Sequence, residues 1–175
     1  MKKSSEIARK IYGINKQLKV ARETVHQIIK DLRLSQVFDV NISELYKKYG
    51  IDDLNNTRRI LREQLIVELN REMNVGDGAT IRLWTDRHAC TVIKRTAKTI
   101  TVQRDTAIRN PNWKPEWVPG GFSAICTNCE DQDWTYERNE SGQVSTFYWS
   151  EKFGGWKNGD ITLCRGRHEY YDYNF

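Results

Sequence analysis

The sequence contains no apolar run near the roughly 18–20 residues that span a bilayer. Its start, Met1-Lys2-Lys3-Ser4-Ser5-Glu6-Ile7, is basic but has no apolar core behind it. Neither a membrane span nor a secretory leader is therefore expected, and the compartment expected is the cytoplasm. A P-loop, H-E-x-x-H, G-x-S-x-G and G-x-G-x-x-G are all missing. With them go the phosphate cradle, the zincin pair, the nucleophile elbow and the dinucleotide fingerprint, so no enzyme is expected. Proline is scarce, and all three prolines (Pro111, Pro115, Pro119) fall in one stretch that reads as an irregular loop. The four cysteines include one C-x-x-C and no second, so the paired zinc framework is absent. Low-complexity tracts, internal repeats and flexible linkers are missing too.

What remains is a globular composition of 175 residues, 38% hydrophobic and 29% charged, enough for one ordinary domain or two small ones. Charge divides the chain. Residues 1–74 carry 15 Lys and Arg against 10 Asp and Glu, whereas residues 75–175 carry 13 of each. All six Trp and all four Cys lie in the second part. That contrast predicts two units, a basic helical one over 1–74 and a Trp- and Cys-rich antiparallel β unit over 75–175.

In the first unit Ile7, Ile11, Ile14, Leu18, Ala21, Val25, Ile28 and Leu32 recur at alternating spacings of four and three. This predicts one long amphipathic helix, with Gly13 as a candidate kink. A short helix is expected over 42–49, capped by Asn41 or Ser43 and stopped by Gly50. A third is expected from about Asp53 to Met73. Together they form a hairpin or small bundle. The heptad stripe would serve either burial within the chain or a homodimer through the N-terminal helix.

After Asn74 the period changes to that of strands. Thr80–Trp84, Ala89–Arg95 and Thr99–Arg104 are rich in β-branched residues, with connections short enough for a meander, which is how small SH3-like barrels begin. A hairpin is expected between 134–138 and 143–150, turning at Asn139-Glu140-Ser141-Gly142, with closing strands over 160–164 and 169–175. The fold class expected is therefore α+β, with the β unit mostly antiparallel and SH3-like in one form.

Three constellations carry candidate chemistry. Cys126 and Cys129, with Cys90, Cys164 and His168, have the residue types of one structural zinc site. The same cysteines read equally as inert buried thiols or as a redox pair. Lys10, Lys16, Lys19 and Arg22 on the first helix, and Arg58, Arg59 and Arg62 on the third, suit phosphate contacts, and equally suit a solvated helix face. Residues 42–62 also fit a helix–turn–helix, with Asn55, Asn56, Arg58 and Arg59 placed to reach base edges. Finally, Trp113 and Trp117 sit in the Pro-rich loop as candidates for a partner contact, while Trp84, Trp134 and Trp149 are expected in the β core. Asp86, His88 and Asp105 read as turn and strand-end residues rather than a nuclease site.

Several blocks resemble a group of small phage and prophage proteins. They are Gly76–Thr80, Leu83–Ala89, Thr99–Asp105, Gly120-Gly121-Phe122 and the tail Gly166–Phe175, in that order, spanning roughly residues 75–175. The group has no assigned activity. Accessory phage proteins of this size often act on host machinery, anti-CRISPR proteins among them. The resemblance thus implies stoichiometric binding to a host nucleoprotein complex, with an inhibitor of an RNA-guided nuclease as its most concrete form, in the host cytoplasm. A small DNA-binding regulator using the helical half is the alternative.

Overall fold

The structure is a computed structural model that describes residues 2–34, 41–120 and 123–174. Gly121, Phe122 and Phe175, which belong to the resemblance blocks, lie outside the described residues. The chain divides into Met1–Leu69 and Asn70–Phe175, and the fold class is α+β.

In the first unit, α1 (Lys3–Leu34) runs unbroken through Gly13. Its stripe is buried as the spacing requires: Leu18 and Val25 form a core with Ile51, and Ile14, Ala21, Leu45, Tyr49 and Leu54 pack around it. Each large aliphatic side chain so buried contributes roughly 1.5–3 kcal/mol before entropy is charged. Helix α2 (Ile42–Lys48) begins at Asn41, whose side chain accepts from Glu44 N at 3.3 Å. Gly50, at φ +63°, makes the left-handed turn that L side chains rarely adopt, and α3 (Ile51–Arg71) follows at once. That helix starts two residues earlier than its polar face suggests, because fully buried Ile51 anchors it. The Lys3–Glu68 and Arg22–Asn55 contacts, at 2.7 and 3.3 Å, show that α1 and α3 are antiparallel.

The second unit is built on a closed antiparallel barrel in the order β1-β10-β9-β8-β3-β2. Its strands are β1 (Gly78–Arg82), β2 (Arg87–Arg95), β3 (Thr99–Arg104), β8 (Val144–Ser150), β9 (Gly155–Asn158) and β10 (Ile161–Arg165). Alternation along β1 sends Ala79 and Ile81 inward, where they meet Val92, Ile100, Phe147 and Leu163. Trp156, 1% exposed, fills the barrel, and its indole N–H donates to Asn70 O at 2.8 Å. The small closed meander agrees with an SH3-like barrel. Between β3 and β8 the chain makes two small ribbons. One pairs β4 (Thr106–Arg109) with β7 (Trp134–Glu137), and the other pairs β5 (Trp117–Gly120) with β6 (Ser123–Cys126).

Two strand expectations and one burial expectation need correction. Residues 134–138 do not form a hairpin with 143–150. Trp134–Glu137 pairs with β4, while β8 pairs with β3 and β9, where Ile100 faces Phe147 across the ladder and both are buried. At the supposed hairpin turn, a side chain on Gly142 would run into the Arg104 carbonyl at 2.0 Å, so glycine is needed for close approach rather than for a hairpin. Residues 169–174 form no strand beyond one bridge, Tyr170 to Arg87. The following amides go to side chains instead: Tyr171 N to Gln132 Oε1 and Asp172 N to Asp86 Oδ1. Trp84, expected in the core, stands at the β1–β2 turn and is 93% exposed.

Among the described residues no helix is long and apolar enough to cross a membrane.

Candidate functional site

Two of the basic residues of the helical unit, Arg22 and Arg58, meet at one point. Asn55, Arg58, Arg59 and Arg62 are spaced i, i+3, i+4 and i+7 on α3, hence share a face. Arg22 of α1 donates to Asn55 Oδ1 at 3.3 Å, and Arg58 donates to the same oxygen at 3.1 Å. Two guanidinium groups from different helices thus converge on one neutral acceptor. Lys19, one turn before Arg22, is exposed and lies 3.9 Å from Glu23, and exposed Lys16 stands about 120° round α1 from Arg22.

Other cations are partly satisfied. Lys10 pairs with Glu6 at 2.8 Å, and Arg59 pairs with Glu63 at 2.8 Å and bonds Asn56. Lys10 and its neighbours hold the Glu6 carboxyl below the usual carboxylate range. Such exposed i,i+4 pairs hold their charges loosely and yield readily to a stronger anion. Asn55 and Asn56, offered above for base edges, are occupied by arginines. The stripe offered for a homodimer packs inside the unit; among the described side chains of α1, the large apolar ones left exposed are Tyr12 and Val20.

In the second unit the Pro-rich stretch is not all irregular loop as expected, because Trp117 opens β5 while Trp113 precedes it. Trp113 is half-buried, its ring 5.7 Å from that of Tyr173 and 5.4 Å from the Arg109 guanidinium. Trp117 meets Tyr173 edge-on at 6.1 Å yet stays 48% exposed, beside exposed Val118. Trp117 is thus available to a partner, and Trp113 chiefly supports it.

The five proposed metal ligands are spread over three places. Cys90 is buried in the barrel and its thiol donates to Ala79 O at 3.3 Å. Burial, then the Asp105 charge, pushes that thiol up to about 12. Cys164 and His168 lie on the outside of β10 and the tail, lining a common cleft. Cys126 and Cys129 form their own cluster with Tyr170, and Asn174 closes it by accepting from Cys126 N at 2.7 Å. Burial and the contact with Cys126 raise the Cys129 thiol to about 11. Among the described residues no three His, Cys, Asp or Glu side chains gather in a metal-holding group. Asp86, His88 and Asp105 are likewise engaged separately, by the Asp172 amide, by Glu169, and by Thr91 with Arg167.

Sequence reasoning missed the tail's anchors. Glu169, 7% exposed, accepts from Ala89 N at 2.7 Å and from Arg104 at 2.6 Å. Two charges of opposite sign in Arg167-His168-Glu169, following a strand with no turn residue after Gly166, were the available signal. No protein-family model, curated protein or solved structure matches the chain.

Proposed function

We propose that the protein is a non-enzymatic binding protein that occupies a host nucleoprotein complex, with the basic face of α1 and α3 meeting its phosphates. The observation that carries this reading is the convergence of Arg22 and Arg58 on Asn55 Oδ1. Two like charges held together by a neutral amide repel each other, and an arriving oxyanion relieves that repulsion while accepting charge-assisted hydrogen bonds from both. Lys16 and Lys19 add positive charge along the same helix. Exposed Trp117 supplies an aromatic contact suited to a protein or an unpaired base.

The resemblance of residues 75–175 to phage and prophage proteins supports a host target. An RNA-guided CRISPR nuclease is its most concrete form, because that target presents both protein and nucleic-acid backbone. The test is titration of a purified guide-loaded nuclease with the full chain, reading DNA cleavage. Inhibition that ends at a fixed stoichiometry, and is lost when Lys16, Lys19 and Arg22 are reversed to Glu, supports the reading. Inhibition at substoichiometric amounts overturns its non-enzymatic part, and binding to free DNA with no effect on the nuclease favours the regulator.

The zinc proposal rests on Cys126 and Cys129. Zinc near one per chain in protein purified without added metal, and lost in the doubly Ser-substituted variant, supports it; less than about 0.2 per chain removes it.

A further inference from the structure

A second concentration of positive charge lies on the β unit, apart from the residues proposed above. The outward positions of β1 are Thr80 and Arg82, because Ala79 and Ile81 face the barrel core. The register sets Thr80 beside Cys164 on β10 and Ala89 on β2, and it sets Arg82 directly opposite Arg87. Arg165 ends β10, and the tail beyond it adds Arg167 and His168 to the same cleft. The result is a cleft of about 380 Å³ lined by four arginines, one histidine and the Cys164 thiol, with no carboxylate in its wall.

Two of these guanidinium groups have acidic partners outside the lining: Arg167 bonds buried Asp105 at 2.7 Å, and Arg165 lies 3.6 Å from partly exposed Asp77. Arg82 and Arg87 have none among the described residues, although Arg87 lies over the Tyr170 ring at 5.0 Å. Like charges directly opposed across an antiparallel pair destabilise the sheet. Among the described residues no carboxylate pairs with either guanidinium, and the Tyr170 face offsets only the Arg87 charge. The four charged donors lining the cleft are guanidinium groups and none is a lysine, which favours the forked recognition of a tetrahedral oxyanion. No Trp, Tyr or Phe is among the lining residues, so a ligand would be held chiefly by its phosphate.

We infer that this cleft binds a phosphate group, with Arg82 and Arg87 as its principal donors. The charge pattern fits binding rather than covalent chemistry. Burial raises the Cys164 thiol above its ordinary range while Arg82 and Arg87 pull it back only in part, so a thiol and not a thiolate faces the ligand.

The test is isothermal titration of the full chain with sodium pyrophosphate, then with short oligothymidylates carrying either a 5′-phosphate or a 5′-hydroxyl. Pyrophosphate is expected to bind and to raise the melting temperature. Losing one charge-assisted contact in Arg82→Gln should weaken it about tenfold. Arg82→Lys should recover part of that loss, keeping the charge without the fork. The ligand-free melting temperature of Arg82→Gln should equal or exceed that of the native chain, since a repulsive pair is removed, and this separates lost binding from lost folding. Preference for the 5′-phosphorylated strand marks a terminal phosphate as the ligand, and equal binding marks an internal phosphodiester. Reversing Lys16, Lys19 and Arg22 should leave pyrophosphate binding unchanged, so this site and the helical face fail separately. Absence of pyrophosphate binding, or equal affinity in the native chain and Arg82→Gln, overturns the inference.

Discussion

Arg167 Nε donates to Asp105 Oδ2 at 2.7 Å, tying the C-terminal tail to the end of the third barrel strand. The carboxylate is 3% exposed and also accepts from Thr91 Oγ1, which in turn accepts from Arg167 Nη2 at 2.8 Å. Removing the carboxylate leaves buried Thr91 short of a partner, while the Arg167 side chain, 35% exposed, can turn to water. Asp105→Ala is therefore expected to cost about 1–3 kcal/mol in urea unfolding. A loss under 1 kcal/mol would show that water reaches the site and that the tail is not fastened there.

The two indoles at the extremes of burial should respond oppositely to substitution. Trp156 fills the barrel and bonds Asn70 O, so Trp156→Ala is expected to lose about 3–5 kcal/mol. Trp84 projects from the β1–β2 turn, so Trp84→Ser should change stability by no more than about 0.5 kcal/mol. Thermal unfolding of the pair checks this directly, and comparable losses would place Trp84 in a packed interior.

Stability should rise with pH in the window below 6.5. Burial first, then the Arg87 charge, lowers the His168 value below its ordinary 6.5, with Arg82 acting in the same direction and Glu130 and Glu169 opposing it. In that window the unfolded chain binds more protons than the native one, so acidification through it favours unfolding. The loss begins near the unfolded value and is complete below the folded one. His168→Gln should flatten this part of the curve; an unchanged slope would assign it to other groups.

Thiol chemistry should follow burial. Cys90, pushed up to about 12, is expected to resist alkylation at pH 8 in the native chain and to react once the chain is unfolded. Rapid native-state labelling, located by peptide mass spectrometry, would contradict its place inside the barrel.

The helical unit was legible because its signals are local. The stripe from Ile7 to Val25 and the Gly50 stop each depend on residues within a turn or two. The barrel's first meander was legible for the same reason. Strand partners were not, because alternation in Trp134–Glu137 and Val144–Ser150 says which face is buried and nothing about which strand lies alongside. Tyr170, Tyr171 and Tyr173 favour a strand in the tail, yet the amides of Tyr171 and Asp172 are taken by the Gln132 and Asp86 side chains. Of the candidate site, the helical cations could be listed from sequence, but their meeting at Asn55 could not. The Arg82–Arg87 opposition depends wholly on register and was invisible before the strands were paired.

The central claim is that the basic face of α1 and α3 neutralises phosphates. Its most direct measurement is the salt dependence of binding to the guide-loaded nuclease, for the native chain and for the variant with Lys16, Lys19 and Arg22 reversed to Glu. Each phosphate contact adds about 0.7–0.9 to the steepness of log affinity against log salt. The account predicts a steep decline for the native chain and a markedly shallower one, with weaker binding, for the variant. Equal slopes and equal affinities would contradict it.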